Sequence, residues 1–378
     1  MREVYLDNAA STRVSDIATK TALFMMSDEY ANPSSLHSKG FQAQQLLEAA
    51  RRQVASAIGA ADSEIVFCSG GTEANNLAVL GSAAARCRQG QTIITTAAEH
   101  SSVFESVKHL EAQGFIIKII PPASDGSANI EEVCAAVNDD TILVSCMYVN
   151  SETGAITDIP ALAAAVKRRN PKVLFHTDAV QALGKIRVTV RGGNIDLMSI
   201  SGHKLHAPKG TGALFVRRGV RILPIIHGGG QENALRAGTQ STPLCCAFGA
   251  AVLESFENFE QNYSYASELT AYFRKKAANF EKTRLNSPET GSPYIQNISM
   301  SRYKSETVLH FLAERGVYAS SGSACAKGKR SRILTAMGLH FDLIDSALRI
   351  SFSRYSTTDD IDTLFESLEI AAREIAHG

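Results

Sequence analysis

The sequence contains no tryptophan, few aromatic residues and no excess of charge of either sign. Of its 378 residues, 7% are aromatic and 20% are charged, and 38 basic side chains balance 38 acidic ones. A net charge of zero provides no broad basic field, so we expect neither a stable nucleic-acid partner nor a membrane partner. The 44% of hydrophobic residues is typical of a globular protein and excludes a disordered or collagen-like chain.

Long apolar runs and paired cysteines are also missing. The apolar run at residues 115–120 is interrupted by Lys118, and no segment approaches the ~20 apolar residues that span a bilayer. The N-terminus lacks the apolar core of a signal peptide. The seven cysteines form no C-x-x-C pair, which argues against a disulfide framework or a zinc site. We therefore expect no metal site and a protein of a reducing compartment, most simply the cytoplasm.

The pattern of predicted strands and helices changes near residue 258. Strand-like and helix-like segments alternate from about residue 40 to 257, which predicts a mainly parallel sheet covered by helices. Long polar helical stretches then alternate with short strand patterns, as at residues 295–300. We predict an α/β fold with a large domain at residues 14–257 and a smaller α/β domain formed by residues 1–13 and 258–378.

Three segments that follow predicted strands contain chemically useful residues. Residues 69–73 begin a helix with Gly71 and Thr72, which suits a phosphate, although an ordinary turn with a helix cap has the same pattern. Asp178 ends a buried strand, where a carboxylate holds a protonated ring nitrogen or caps the next helix. Lys204 enters a glycine-rich loop beside Ser201 and is either an imine-forming amine or a solvated surface lysine.

Cys325 lies among small residues and is followed by Lys327, Lys329 and Arg330. These positive charges favour thiolate over thiol, which predicts a reactive cysteine, and an incidental thiol on a basic loop is the alternative. The other six cysteines lie in apolar or helical contexts, so we predict that they are small core residues.

The order of these motifs resembles the cysteine desulfurases, which are pyridoxal 5'-phosphate (PLP) enzymes of fold type I in the class V aminotransferase superfamily. The matching segments are residues 5–10, 32–35, 71–76, 99–100, 150–154, 178–181, 201–204, 228–232, 236–239, 321–325 and 348–351. The resemblance implies a mixed, mainly parallel seven-stranded sheet in the large domain and a homodimer. It places Cys325 and Arg349 in the smaller domain.

The resemblance also implies a role for each matching residue. Lys204 would be the Schiff-base lysine, Asp178 would pair with the pyridinium nitrogen, and Gln181 would hydrogen-bond the ring oxygen. His100 would stack on the ring and relay protons. The remaining cofactor-binding residues, mainly around the phosphate, would be Gly71, Thr72, Asn150, Ser201, His203 and, from the neighbouring subunit, Thr239.

The implied reaction removes sulfur from L-cysteine. Arg349, helped by Asn150, would hold the substrate carboxylate in a bidentate pair. The Cys325 thiolate would attack the substrate sulfur, leaving alanine and a persulfide on Cys325 for transfer to a sulfur-acceptor protein. The acceptor stays open between iron–sulfur cluster assembly, another sulfur-containing cofactor and tRNA thiolation, and an iron–sulfur cluster would contact Cys325 only in passing.

Two alternatives remain open. One keeps the cofactor and changes the reaction, as in a selenocysteine lyase or another class V lyase or aminotransferase. The other is a catalytically degenerate subunit that serves as a binding partner. One departure from the family pattern is Gly202, which stands where many members have a second serine.

Overall fold

The computed structural model describes residues 2–321 and 330–375. In this part of the chain the helices are α1 Asp16–Ser27, α2 Ser38–Ile58, α3 Gly71–Arg86, α4 Ser101–Ala112, α5 Ile130–Ala136, α6 Ile159–Arg169, α7 Thr242–Glu257, α8 Phe259–Asn279, α9 Ser305–Glu314, α10 Arg332–Ala336, α11 Phe341–Asp345 and α12 Thr358–Glu374. The strands are β1 Val4–Tyr5, β2 Ile65–Cys68, β3 Thr92–Thr96, β4 Ile116–Ile120, β5 Thr141–Ser145, β6 Leu174–Asp178, β7 Leu197–Ser201, β8 Gly212–Val216, β9 Arg284–Leu285, β10 Ile295–Ser299, β11 Val317–Tyr318 and β12 Ala347–Ser351.

The central sheet has seven strands in the order β2-β8-β7-β6-β5-β3-β4. Strand β8 is antiparallel to both of its neighbours, and the other pairs are parallel. Strands β5, β6 and β7 are buried on every residue, as expected of parallel strands that helices cover on both faces. The prediction of a mixed, mainly parallel seven-stranded sheet is confirmed.

A second core joins the two ends of the chain. It packs Val4 and Leu6 from the N-terminal segment against apolar residues of α8, β10, β12 and α12. Strand β1 pairs with β11, and β10 lies between β9 and β12 in an antiparallel sheet. This core contains residues from both ends of the chain, and the division into two domains with boundaries at residues 14 and 257 stays a prediction.

Most predicted elements are present with shifted ends. Helix α2 ends at Gly59, whose φ of 73° is left-handed and favours glycine. The apolar run at residues 141–149 predicts one strand, whereas β5 ends at Ser145. Beyond it, the N–H groups of Cys146 and Tyr148 still donate to the carbonyls of His176 and Asp178 in β6. Asn129 caps α5, as its position predicts.

The prediction for the cysteines is partly wrong. Four of the six are buried, but Cys87 is exposed and Cys134 is half-buried. Cys87 is the C-cap of α3, where the helix reaches the surface. Among the described helices, none is both long enough and apolar enough to cross a membrane.

Candidate active site

The carboxyl ends of the parallel strands bring most of the predicted site residues to one edge of the sheet. Asp178 is the last residue of β6 and Ser201 the last residue of β7. His100 follows β3, and Asn150 follows β5. Strand β2 runs in the same direction, so helix α3, which begins at Gly71, also starts at this edge. Open α/β sheets bind ligands at this position.

Asp178 is held by a hydrogen-bond network that reaches His100. Asn75 Nδ2 donates to Asp178 Oδ2 at 2.7 Å and to Ser102 Oγ at 2.8 Å, and Ser102 Oγ lies 2.8 Å from His100 Nδ1. The other carboxylate oxygen, Oδ1, accepts from the backbone of Val180 at 2.9 Å. Residues 180–185 form turns, so the carboxylate does not cap a helix there. It is held rigidly at the end of β6 instead.

His100 has a lowered pKa and a defined hydrogen-bond acceptor. Burial lowers its pKa, and the positive charge of Lys204 acts in the same direction, while Asp178 opposes both. The backbone N–H of Ser102 donates to Nδ1, so Nδ1 is the acceptor and the ring proton lies on Nε2. The free nitrogen Nε2 is therefore the atom that exchanges protons with a bound molecule.

Ser201 lies against the N-terminus of α3. A Cβ on Gly71 would approach the Ser201 Cβ to 3.5 Å and the Val180 side chain to 2.7 Å, so only glycine fits between them. Ser201 is 1% exposed, yet its hydroxyl finds no partner in residues 2–321 and 330–375. An unpartnered buried hydroxyl beside a helix N-terminus fits an anionic ligand such as a phosphate.

Two other residues that the resemblance assigns to phosphate binding lie at the same end of the sheet. Thr72 is exposed in the first turn of α3. His203 follows β7, and burial together with nearby lysines lowers its pKa to about 4. A neutral imidazole at this position would meet a phosphate as a hydrogen-bond donor rather than as a cation.

Lys204 points at the N-terminal segment. Its Nζ donates to the carbonyl oxygens of Ala9 at 2.6 Å and Ala10 at 2.8 Å. Gln181 Nε2 donates to the same Ala9 oxygen at 2.8 Å. The segment before α1 therefore connects the lysine of the β7 loop to the glutamine that follows β6.

Arg349 is a buried guanidinium on β12. Its Nη1 donates to the carbonyl of Ser151 at 3.0 Å, and its Nη2 lies 2.8 Å from Asp7 Oδ1. Its Nε has no partner among the residues that the structure describes, although the residue is only 4% exposed. Asn150 is similar: Oδ1 accepts two backbone N–H groups, whereas Nδ2 is buried without a partner in the described chain. Both side chains thus retain donors for an anionic ligand.

Cys325 lies outside the described residues, but both flanks of its segment are attached to the site. On one side, Ser320 and Arg349 exchange two backbone hydrogen bonds. On the other, Ser331 Oγ donates to Glu152 Oε2 at 2.5 Å. Thr239 is exposed on the loop before α7, in a segment that lines an open polar cavity of about 590 Å³.

Gly202 departs from the family pattern for a steric reason. A Cβ at this position would lie 2.2 Å from Thr211 Oγ1 and 3.0 Å from the Ala207 Cβ. Thr211 Oγ1 is itself fixed by a hydrogen bond to the Pro208 carbonyl. A serine at position 202 would therefore require Thr211 to move.

Several residues of the site carry no individual signal in the sequence. Asn75 and Asp7 belong to matching motifs, but nothing about their position in the chain specifies that they bind Asp178 and Arg349. Lys185 is buried and donates to Gln181 Oε1 at 2.8 Å. A lysine four residues after a glutamine, in a segment that is not helical, gives no sequence pattern that predicts this contact.

Known proteins are similar to this chain in sequence and in fold. Cysteine desulfurase IscS of Methanosarcina thermophila is 37% identical over 97% of this chain and 91% of its own length. A solved NifS-like protein superposes with a TM-score of 0.94 at 34% identity, covering 99% of this chain and 100% of the other. The protein SspA in complex with cysteine superposes with a TM-score of 0.83 at 34% identity, covering 94% and 100%.

The resemblance read from the sequence motifs is thereby confirmed. The family model for aminotransferase class-V matches residues 4–364, which is nearly the whole chain. The protein belongs to the class-V aminotransferase family.

Proposed function

We propose that this protein is a PLP-dependent cysteine desulfurase. It removes sulfur from L-cysteine, releases L-alanine and carries the sulfur as a persulfide on Cys325 for an acceptor protein. The proposal is supported by relatives named cysteine desulfurase at 36–39% identity over nearly the whole chain and by the presence of each family site residue.

The donor set at the edge of the sheet fits PLP. Lys204 anchors the cofactor, Asp178 holds a proton at the ring nitrogen, and Gln181 donates to the ring oxygen. The buried Ser201 hydroxyl, the N-terminus of α3 and His203 take the phosphate, where Ser201 otherwise has no partner in the described chain. Bound there, PLP supplies an aldehyde for the substrate amine and a ring that withdraws electrons from the substrate α-carbon.

The observation that carries the choice of an amino-acid substrate is the buried Arg349. Two of its donors are fixed by Ser151 and Asp7, and Nε is left without a partner among the described residues. Leaving a buried guanidinium donor unpaired is costly, so the position is expected to be completed by a ligand. The bidentate geometry of arginine suits a carboxylate, and the Asn150 amide adds a further donor.

Substrate binding, proton transfer and attack on sulfur are carried out by different side chains. Arg349 and Asn150 hold the substrate carboxylate, and His100 transfers protons at Nε2, because Nδ1 is occupied. The Cys325 thiolate attacks the substrate sulfur, so that an S–S bond forms while the C–S bond breaks. The electron pair of the C–S bond goes to the three-carbon fragment, which takes up a proton and leaves as alanine.

The proposed assembly is a homodimer. Helix α1 presents exposed apolar residues, among them Leu23, Phe24 and Met26, which a monomer would leave in water. The open cavity beside Thr239 is lined by Arg51, Glu232 and Gln240, and a second subunit seated there would bring Thr239 to the partner's phosphate. Sedimentation analysis should give a dimer mass, and a fully active monomer would contradict this arrangement.

The proposed function is tested by the visible spectrum and by product analysis. Purified protein supplied with PLP should show a cofactor band that shifts on addition of L-cysteine, with alanine and reductant-dependent sulfide formed in equal amounts. Cys325→Ala should keep the band and its shift but lose sulfide release. Lys204→Ala should lose the covalently bound cofactor.

The same samples separate the alternatives. Sulfide release from Cys325→Ala at the wild-type rate would exclude the persulfide route. Release of selenide from selenocysteine by wild-type protein that forms no sulfide from cysteine would indicate a selenocysteine lyase. Wild-type protein that stays colourless and inert with added PLP would indicate a degenerate subunit.

A further inference from the structure

A buried lysine beside the site has no role in the reaction above. Lys185 lies in the turn after β6 and is 6% exposed. Burial, together with the positive charges of Lys204 and Arg349, lowers its pKa to about 7. Burying an amine among other cations is costly, so its placement calls for a specific contact that offsets the cost.

That contact is the side-chain amide of Gln181. Lys185 Nζ donates to Gln181 Oε1 at 2.8 Å, and Gln181 Nε2 donates to the Ala9 carbonyl at 2.8 Å. A carbonyl only accepts hydrogen bonds, and the lysine donates, so the two partners permit a single orientation of the amide. Without Lys185 only the Ala9 carbonyl would select this orientation of the amide, and the Gln181 oxygen would lose its donor.

The orientation matters because Gln181 is connected to Lys204. The Ala9 oxygen that accepts from Gln181 also accepts from Lys204 Nζ at 2.6 Å. The NH2 group of Gln181 therefore faces the lysine that anchors PLP, and the oxygen faces Lys185. An amide in the opposite orientation would present an acceptor to the ring oxygen, which is itself an acceptor.

We propose that Lys185 is a positioning residue that holds the Gln181 amide with its NH2 group toward the ring oxygen of PLP. The inference rests on the proposed function and deepens it. The donated hydrogen bond withdraws charge from the ring oxygen and so weakens its hold on the proton beside it. Lys185 thereby sets the pH at which the bound cofactor changes its absorption spectrum.

A direct effect of charge is the competing explanation. Lys185 lies near Lys204, Arg349, His203 and His206, whose charges act on one another. Removing a positive charge raises the pKa of a neighbouring proton site even if Gln181 does not move. The two routes differ in one respect, because the direct route does not need Gln181.

The experiment is a double-mutant cycle on the substrate-free holoprotein. The pH midpoint of the cofactor absorption is measured in wild type, K185M, Q181A and K185M/Q181A. Methionine keeps the length of the side chain and removes both the donor and the charge. We expect K185M to raise the midpoint by about one pH unit, which corresponds to one hydrogen bond to a charged group. In the Q181A background, K185M should shift the pH midpoint of the cofactor absorption by less than about a third of the shift expected in the presence of Gln181.

Each result supports or contradicts the inference. An equal shift in both backgrounds identifies the direct charge effect and overturns positioning through Gln181, and so does an unchanged midpoint in K185M. If K185M does not fold, K185Q replaces it, with a smaller shift expected because its amide retains a donor. A wild-type protein without a cofactor band after PLP is added would instead contradict the proposed function, and the inference with it.

Discussion

Asp7 and Arg349 form an ion pair between opposite ends of the chain, with Arg349 Nη2 2.8 Å from Asp7 Oδ1. Backbone contacts next to the pair hold the two segments together. Asp7 and Ser351 form an isolated parallel β-bridge, and the N–H of Ser351 donates to the Leu6 carbonyl. A few residues later, Ala9 and Ala10 accept from Lys204. The N-terminal segment thus connects the residue that would bind the substrate carboxylate with the one that would anchor the cofactor.

Removing Asp7 should weaken substrate binding. Asp7→Ala frees the Arg349 guanidinium from one of its two fixed contacts, so the bidentate orientation toward a carboxylate is lost. A hydrogen bond between charged groups contributes about 1.5–3 kcal/mol, so we expect KM for L-cysteine to rise roughly tenfold, with a smaller change in kcat. Steady-state kinetics check this, with Asp7→Asn as the control that keeps an acceptor oxygen and loses less. An unchanged KM in Asp7→Ala would exclude an orienting role.

Asn75 should control cofactor affinity through Asp178. Its Nδ2 donates to both Asp178 Oδ2 and Ser102 Oγ, so Asn75→Ala releases the carboxylate and the His100 network together. We expect the dissociation constant for PLP to rise roughly tenfold, as follows from the loss of a hydrogen bond to a charged group. Titration of the apoprotein with PLP measures it. Asn76→Ala, on the same helix, removes only a bond to the Thr72 carbonyl and should leave the affinity within about twofold.

Gly202 should be intolerant of any side chain while Thr211 is present. A Cβ would lie 2.2 Å from Thr211 Oγ1, and overpacking of this kind costs about 1–3 kcal/mol. Gly202→Ala should therefore lower the free energy of unfolding by that amount in a urea titration. Adding Thr211→Ala should recover part of the loss, because the colliding oxygen is gone. Strictly additive effects of the two substitutions would show that they do not contact each other.

The location of the candidate site at the carboxyl edge of the sheet could be predicted from the sequence, because the pattern that reveals it is local. A strand followed by a polar turn places its last residues at the carboxyl end, and parallel strands bring those ends together. Asp178 and Ser201 could be placed in this way, as could the N-terminus of α3. The same local pattern extends the predicted strand to residue 149, four residues past the end of β5, since these apolar residues still donate to β6 without continuing the strand.

The contacts that hold the site could not be predicted because they join residues far apart in the chain. Asp7 and Arg349 are separated by 342 positions, and Asn75 and Asp178 by 103. Their pairing depends on how the N-terminal segment crosses the smaller core and on how α3 packs on the sheet. The burial of Lys185 could not be predicted for a different reason. Most lysines are solvated, and whether a particular one is buried depends on the tertiary structure.

A buried histidine should make stability fall in acid. His176 lies between Ser145 Oγ and Ser199 Oγ on adjacent strands, and burial lowers its pKa from 6.5 to about 3. Between these values the unfolded chain binds more protons than the folded one, so the free energy of unfolding is highest above pH 6.5 and falls as the pH decreases. This one group contributes a slope of up to ~1.4 kcal/mol per pH unit. Urea titrations at several pH values between 7 and 5 give the free energy of unfolding at each pH. This free energy should fall less steeply with decreasing pH in His176→Gln than in wild type. His109 is exposed, and His109→Gln should keep the wild-type pH dependence of the unfolding free energy. The same pH dependence in all three proteins would mean that folding does not change the proton affinity of His176.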